Sequence, residues 1–205
     1  SFLQDFDSMG NVYMFKMHDL VHDLAVFVAK DEFLLINSHS QNIPENARHL
    51  SFAEYNLLGN SFTTNSIAVK TILFPNGAAG ANVEALVNTR VSKFKFLRVL
   101  DLSFSACKTL PHSIGKLKQL RYFCIEKNHN IKRLPNSICN LQNLLSLKLS
   151  GCNELEALPK GLRKLISLRQ LEITTKQPVL PYNEITNLSS LSIESSCNLE
   201  SIFGG

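Results

Sequence analysis

The segment Leu144-Leu145-Ser146-Leu147-Lys148-Leu149 decides the fold, because its pattern Leu-x-x-Leu-x-Leu recurs through the second half of the chain. Five copies, with Phe or Ile at some of the Leu positions, start at Leu97, Leu120, Leu144, Leu168 and Leu188. Successive starts are 23, 24, 24 and 20 residues apart. One copy is too short to bury its own apolar face, so the repetition predicts stacked units that share one continuous core.

The segments between the copies carry a second apolar set. After each of the first three strands a leucine is followed by a proline, at Pro111, Pro135 and Pro159. Proline has a fixed φ and donates no hydrogen bond, which suits a return loop rather than a strand. Two weaker copies precede the regular ones, at Ala47-Leu50-Phe52 and Val69-Ile72-Phe74. Together these features predict an α/β leucine-rich-repeat solenoid of seven strands over residues 41–205.

The strands of such a solenoid line its concave side, and the residues between the buried leucines face outward. A surface of this kind binds other molecules and is rarely an active site. The outward positions with the chemistry most suited to binding a protein are Tyr122, Glu126, Lys148, Gln170 and Glu172. Tyr122 is the best anchor among them, because aromatic residues dominate binding hot spots.

The composition is that of a folded protein, with 44% hydrophobic and 19% charged residues in 205. The longest apolar run, at 24–29, is far too short to span a membrane. Five cysteines occur singly, without a CxxC pair, which favours buried thiols in a reducing compartment. We therefore expect a cytoplasmic protein, and because the chain opens at Ser1 we expect a piece of a longer one.

The net charge of +4 is unevenly distributed. Residues 93–176 hold 16 Lys and Arg against 5 Asp and Glu, or +11, while the remainder holds 5 against 12, or −7. This asymmetry predicts an electrostatic partner, within the molecule or outside it. The basic loop residues look scattered and lack the interleaved aromatics of a stacking platform, which disfavours nucleic acid. A solvated convex face accounts for most of them.

The first forty residues have a different organisation. Residues 1–7 and 11–16 alternate apolar and polar side chains around Ser8-Met9-Gly10, which predicts a hairpin. Residues 17–30 then have helical spacing, with one apolar stripe formed by Met17, Leu20, Val21, Leu24, Ala25 and Val28. A hairpin before an amphipathic helix is consistent with the end of a winged-helix module, which we assign to residues 1–40.

The sequence contains only incomplete matches to catalytic motifs. His18-Asp19-Leu20-Val21-His22 spaces two histidines as in the zinc motif H-E-x-x-H, but Asp19 replaces the glutamate and no third ligand follows in a recognisable motif. There is no G-x-S-x-G, and Gly115-Lys116-Leu117 lacks the rest of a phosphate loop. We expect neither an enzyme nor a metal site.

The string 15–25, Phe-Lys-Met-His-Asp-Leu-Val-His-Asp-Leu-Ala, followed by leucine-rich repeats, resembles plant intracellular disease-resistance receptors of the nucleotide-binding, coiled-coil class. In these receptors a Met-His-Asp triplet, here Met17, His18 and Asp19, closes the nucleotide-binding (NB-ARC) module. The resemblance implies that His18 approaches the β-phosphate of ADP and that Asp19 supports the inactive state. The phosphate loop is missing, so ADP or ATP is expected only in the complete protein and no cofactor on this chain alone.

The resemblance also implies two tasks for the repeats. They hold the receptor's own NB-ARC domain inactive, for which Arg98, Lys116, Lys118 and Arg121 are the candidate docking residues. They also sense a pathogen effector or a guarded host protein. The alternative is an intracellular leucine-rich-repeat scaffold that binds a small GTPase, whose return loops look similar. The Met-His-Asp triplet and its helix discriminate between the two, because a pure repeat scaffold has no use for them.

Overall fold

A computed structural model describes residues 2–6, 12–37, 43–52, 68–74, 83–89, 91–177 and 187–193. Within these ranges the chain forms ten strands and two α-helices. In chain order they are β1 (Phe2–Phe6), β2 (Val12–Met17), α1 (Asp19–Ala29), β3 (Phe33–Ile36), β4 (His49–Phe52), β5 (Thr71–Leu73), α2 (Val83–Thr89), β6 (Val99–Asp101), β7 (Tyr122–Cys124), β8 (Ser146–Leu149), β9 (Gln170–Ile173) and β10 (Ser190–Ile193). The seven predicted solenoid strands are all present, as β4 to β10.

Strands β3 to β10 form one sheet in sequence order, and every neighbouring pair is parallel. The register matches equivalent repeat positions, so that Leu100, Phe123, Leu147 and Leu171 lie side by side. Strand β3 was not predicted. It adds an eighth strand by pairing with β4. Strand β3 lies before residue 40, where the sequence predicts the boundary between the winged-helix module and the repeats. That boundary stays a prediction.

The repeated apolar positions form the core. Leu144, Leu147 and Leu149 of one copy are completely buried, as are their counterparts in the two preceding copies. Each such side chain contributes roughly 1.5–3 kcal/mol by leaving water. Pro111 and Pro135 each precede a short 3₁₀ helix, at His112–Lys116 and Asn136–Asn140, on the return side. The four cysteines within the described residues are all free and buried, whereas Cys197 lies outside them.

The amino-terminal hairpin forms as predicted, with β1 and β2 antiparallel and Phe2 opposite Met17. The helix differs from its prediction at the start, because Met17 is the last residue of β2 and α1 begins at Asp19. Its apolar stripe has no buried residue, and Leu20 and Val28 are more than 70% exposed. The sequence pattern therefore identified an amphipathic helix whose apolar face is solvent-exposed in this chain.

Candidate protein-binding surfaces

The outward side of the sheet brings most of the predicted binding residues together. Parallel pairing places Tyr122, Ser146 and Gln170 in one row across β7, β8 and β9. The next outward row contains Cys124, Lys148 and Glu172. Glu126 follows Cys124 two residues later, so it continues the same alternation beyond the end of β7. We call the surface formed by these rows the strand face.

An ion pair lies at the centre of the strand face. Lys148 Nζ is 3.0 Å from Glu172 Oε1, and both side chains are about two-thirds buried, at 27% and 32% exposure. Burial lowers the pKa of Lys148, but the hydrogen bond and charge of Glu172 outweigh it, and the net pKa is raised. Burial raises the pKa of Glu126, although the charge of Lys148 opposes the shift. Lys148 thus forms an ion pair with Glu172 and also interacts with the charge of Glu126.

A small polar cluster lies beside this pair. Ser103 Oγ is 2.9 Å from Cys124 Sγ, and the Ser103 hydroxyl also donates to Asp101 Oδ1 at 2.6 Å. Burial raises the pKa of Cys124 to about 12 and raises that of Tyr122 as well. Both groups are therefore neutral at physiological pH. Tyr122 remains partly exposed, so part of an uncharged aromatic side chain faces solvent.

Sequence reasoning missed an apolar and aromatic area at the amino-terminal end of the sheet, outside the strand face. Phe33 and Leu35 of β3 are more than half exposed. Phe33 stacks on His49 with ring centroids 6.1 Å apart, and His49 Nδ1 is 3.0 Å from Thr71 Oγ1. This apolar and aromatic area was missed because its outermost strand lacks the repeat pattern.

A second surface lies at the edge of the sheet where the strands begin. The residue just before each strand donates its backbone N–H to the equivalent residue of the preceding turn, as Arg121 does to Arg98 and Arg98 does to Lys70. The turns leading into β6, β7 and β9 each carry three exposed cations. We call these nine residues the basic edge: Lys93, Lys95, Arg98, Lys116, Lys118, Arg121, Arg163, Lys164 and Arg169.

The turns that carry the basic edge contain no acidic residue. Neither Asp nor Glu occurs in segments 91–98, 112–121, 136–145 or 161–169. On the opposite edge, where the strands end, two cations have acidic partners: Arg133 Nε is 3.0 Å from Glu156 Oε2, and Lys176 Nζ is 2.7 Å from Glu154 Oε1. The basic residues of this group therefore look scattered along the sequence but are brought together by the stacking of the repeats. The signal that would have found them is the repeat register, which places Arg98, Arg121 and Arg169 at one position.

The four predicted docking residues, Arg98, Lys116, Lys118 and Arg121, all belong to the basic edge. Lys118 Nζ donates to the carbonyl of Asn140 at 3.2 Å, which connects two successive turns. Three apolar side chains, Phe96, Leu145 and Ile166, are more than 40% exposed on the same edge. The edge therefore combines uncompensated positive charge with apolar contact area.

The Met-His-Asp triplet lies at the junction of β2 and α1. His18 is the N-cap residue of α1, and its Nδ1 accepts the Leu20 backbone N–H at 3.3 Å. A neutral ring that accepts at Nδ1 carries its proton at Nε2, which is then a donor. His18 and Asp19 are exposed. Within the part of the chain that the structure describes, no three His, Cys, Asp or Glu residues are grouped to hold a metal ion.

The described helices include none that is both long and apolar enough to cross a bilayer.

Comparison with known proteins identifies the class. The model of the leucine-rich repeat region family matches residues 78–201. The chain belongs to this family, and the predicted α/β repeat fold is confirmed. A leucine-rich-repeat protein of Leptospira interrogans has a TM-score of 0.49 and 21% identity, over 84% of this chain and 39% of that one.

The relatives in sequence are plant disease-resistance proteins, so the resemblance is confirmed. A putative disease resistance protein of Arabidopsis thaliana, At3g14460, is 36% identical over 69% of this chain and 10% of its own length. A second, RPP13-like protein 3, is 32% identical over 79% of the chain and 20% of its length. TMV resistance protein N of Nicotiana glutinosa is 34% identical over 46% and 8%. The chain thus matches a fifth or less of the length of these relatives.

Proposed function

We propose that this chain is the sensing and autoinhibitory part of a cytoplasmic plant immune receptor, which acts by binding rather than by catalysis. Its strand face senses a pathogen effector or a guarded host protein. Its basic edge docks on the receptor's own NB-ARC domain and keeps it inactive. The observation that carries the proposal is the basic edge, with nine cations and no acidic residue in the turns that form it.

The physical argument for docking is that the basic edge is electrostatically unfavourable by itself. Adjacent strands are about 4.8 Å apart, so Arg98 and Arg121 carry like charges on neighbouring positions, which costs free energy. An acidic partner surface would relieve this repulsion, and the exposed Phe96, Leu145 and Ile166 would add apolar contact area. Complementary charge contributes specificity and orientation to such an interface.

Charge reversal in the complete receptor tests the docking. Arg98→Glu and Arg121→Glu should weaken autoinhibition and raise resting cell-death signalling when the receptor is expressed without a pathogen. Lys108→Glu and Lys127→Glu are matched controls, because these exposed cations lie outside the basic edge. The same resting signal in all four variants, at equal protein levels, would contradict the role of the basic edge.

Nucleotide sensing rests on the triplet and is proposed for the complete protein only. ADP, when bound there, would supply a β-phosphate as the anionic group for His18 to contact in the resting state. His18 would contribute its Nε2–H, and the N-terminus of α1 would add the partial positive charge that favours anions. His18→Ala in the complete receptor should release ADP, measured on purified protein by chromatography of the extracted nucleotide. Full ADP occupancy in that variant would exclude the contact.

The exposed apolar side of α1 supports the same assignment. Eleven helical residues with no buried side chain are marginal as an isolated helix, because most helical stability in proteins comes from packing. In the complete receptor, Leu20, Leu24 and Val28 would pack against the rest of a winged-helix module. That packing would stabilise the helix. A stand-alone repeat scaffold gives this helix no role, which favours the receptor over the small-GTPase scaffold.

A further inference from the structure

We propose that the strand face recognises a cationic side chain, arginine or lysine, presented by an extended segment of the sensed protein, and that Glu126 and Glu172 accept its charge. This inference rests on the proposed sensing role of the strand face and specifies the chemistry of its ligand. It concerns a different surface from the basic edge, which would attract an acidic partner instead.

The charge balance of the strand face favours a cation. Asp101, Glu126 and Glu172 contribute three carboxylates to the outward rows of β6, β7 and β9, against the single ammonium group of Lys148. Asp101 is already engaged with Ser103. Of the other two, Glu172 pairs with Lys148, and Glu126 interacts with the charge of Lys148 and with the Cys124 thiol. A second cation would therefore meet a net negative site.

The ammonium group of Lys148 shows that the space beside these carboxylates accepts a positively charged group. Its Nζ is 3.0 Å from Glu172 Oε1, in a contact that leaves only about a third of either side chain exposed. Burial raises the pKa of Glu126, and the charge of Lys148 and a hydrogen bond with Cys124 only partly oppose the shift. A ligand arginine, with its planar set of five N–H donors, could bind both carboxylates at once.

The neighbouring row offers the remaining contacts of a peptide site. Ser146 is 6% exposed, and its Oγ has no hydrogen-bond partner among the described residues. Buried polar groups normally have a partner, and this hydroxyl lies beneath the outward row, where a ligand seated between Tyr122 and Gln170 would supply one. Ser146 lies between Tyr122 and Gln170 in the register and two residues before Lys148. Tyr122 would stack on the aliphatic or guanidinium part of the bound side chain.

A peptide selection tests this proposal directly. A phage library of random dodecapeptides is selected on the 205-residue chain, with counter-selection on Tyr122→Ala to remove peptides that bind elsewhere. Selected peptides are resynthesised with each Arg replaced by citrulline, or each Lys by acetyl-lysine, and Kd is measured by fluorescence anisotropy. Circular dichroism establishes that every variant is folded.

The expected result is that selected peptides contain Arg or Lys and lose about tenfold or more in affinity when that charge is removed. Glu126→Gln and Glu172→Gln should weaken binding by several-fold. Lys148→Met should strengthen it by about threefold or more, because the competing ammonium is gone. A purely structural role for Lys148 predicts the opposite sign. Glu154→Gln, which affects an ion pair on the other edge, is the matched control and should change Kd by less than about twofold.

Two results would overturn the proposal, and they differ in what else they overturn. Peptides that need Tyr122 but tolerate neutral replacements and the Gln variants would exclude cation recognition and leave sensing by the strand face intact. A selection that yields no peptide depending on Tyr122 would exclude the strand face as a peptide-binding surface, and with it the proposed sensing role.

Discussion

Asn128 and Cys152 occupy equivalent positions in successive turns of the solenoid, and each donates a side-chain hydrogen bond to the turn before it. Asn128 Nδ2 donates to the Leu102 carbonyl at 2.9 Å, and Cys152 Sγ donates to the Ile125 carbonyl at 3.3 Å. Both side chains are completely buried. These bonds connect adjacent repeats at the point where each strand turns into its return segment.

Asn128 should be the more important of the two for stability. Its Oδ1 also accepts the Cys107 backbone N–H and the Ser105 hydroxyl, both at 2.8 Å, and its Nδ2 donates to the Ile125 carbonyl at 2.8 Å. Asn128→Ala leaves these buried groups unpaired, so we expect a loss of about 3 kcal/mol in the free energy of unfolding. Cys152→Ala should cost about 1 kcal/mol. Urea titration followed by circular dichroism measures both.

An exposed asparagine provides the control for this comparison. Asn143 Nδ2 also donates to a carbonyl of the preceding turn, that of Lys118, at 2.8 Å, but in an exposed position. Water can replace that bond, so Asn143→Ala should cost less than about 1 kcal/mol. Equal losses for Asn128→Ala and Asn143→Ala would show that burial does not set the cost of this contact.

The repeat register can be tested with two leucines of one copy. Leu147 is completely buried, whereas Leu145 is 43% exposed at the start of the same copy. Leu147→Asp places an unpaired carboxylate in the core and should unfold its neighbourhood, because burial of an isolated charge is very costly. Leu145→Asp should leave the thermal unfolding midpoint nearly unchanged. Unchanged unfolding in Leu147→Asp would rule out the register.

The buried strands could be predicted from sequence because their signal is repeated. Each of Leu97, Leu120, Leu144 and Leu168 begins the same spacing, and burial of the same positions follows from stacking. Strand β3 lacked this signal, since Phe33-Leu34-Leu35-Ile36 is an unbroken apolar run in which only Ile36 is buried. Its formation depends on pairing with β4, in which Phe33 lies beside His49. A single-sequence pattern does not reveal such a partner.

The candidate surfaces were predictable in part. The alternation of each strand identified Tyr122, Lys148 and Glu172 as outward-facing, and the parallel register then placed them together. The Lys148–Glu172 ion pair depends on side-chain conformation and required the structure. The excess charge in the sequence indicated four residues of the basic edge, but it did not group all nine at one edge of the sheet. Its localisation follows from stacking, because residues 23 or 24 positions apart become neighbours.

The buried thiols should make stability fall at high pH. Burial raises the pKa of Cys107 and Cys152 from 9.0 to about 11 in each case. Between these values the unfolded chain loses the thiol protons and the folded chain keeps them, so folding becomes less favourable as pH rises. The thermal midpoint should therefore decrease from pH 9 to pH 11. The double variant Cys107→Ala, Cys152→Ala should have a shallower slope, and an identical slope would contradict the assignment.

Thiol alkylation gives an independent measure of the same burial. In a Cys197→Ser background, which removes the cysteine outside the described residues, native protein should react slowly with iodoacetamide at pH 8. The reason is that the reactive form is the thiolate, which burial disfavours. Addition of 6 M guanidinium chloride, roughly the level that unfolds even hyperstable domains, should make all four remaining thiols react. Fast labelling of any of the four in native protein, located by mass spectrometry, would show that its thiol is accessible.

The basic edge makes its own prediction about the isolated chain. Arg98 and Arg121 lie on neighbouring positions without an acidic partner in their turns, so removing one charge should relieve repulsion. Arg121→Gln should raise the thermal midpoint at 10 mM NaCl, where the Debye length is about 30 Å. The gain should disappear at 1 M NaCl, where that length is about 3 Å. Arg133→Gln removes a cation that is 3.0 Å from Glu156 and should give no gain at low salt.

A gain for Arg121→Gln that persists at 1 M NaCl would indicate a packing effect. No gain at either salt concentration would mean that the edge is not under electrostatic strain, and the argument that it requires an acidic partner would then fail.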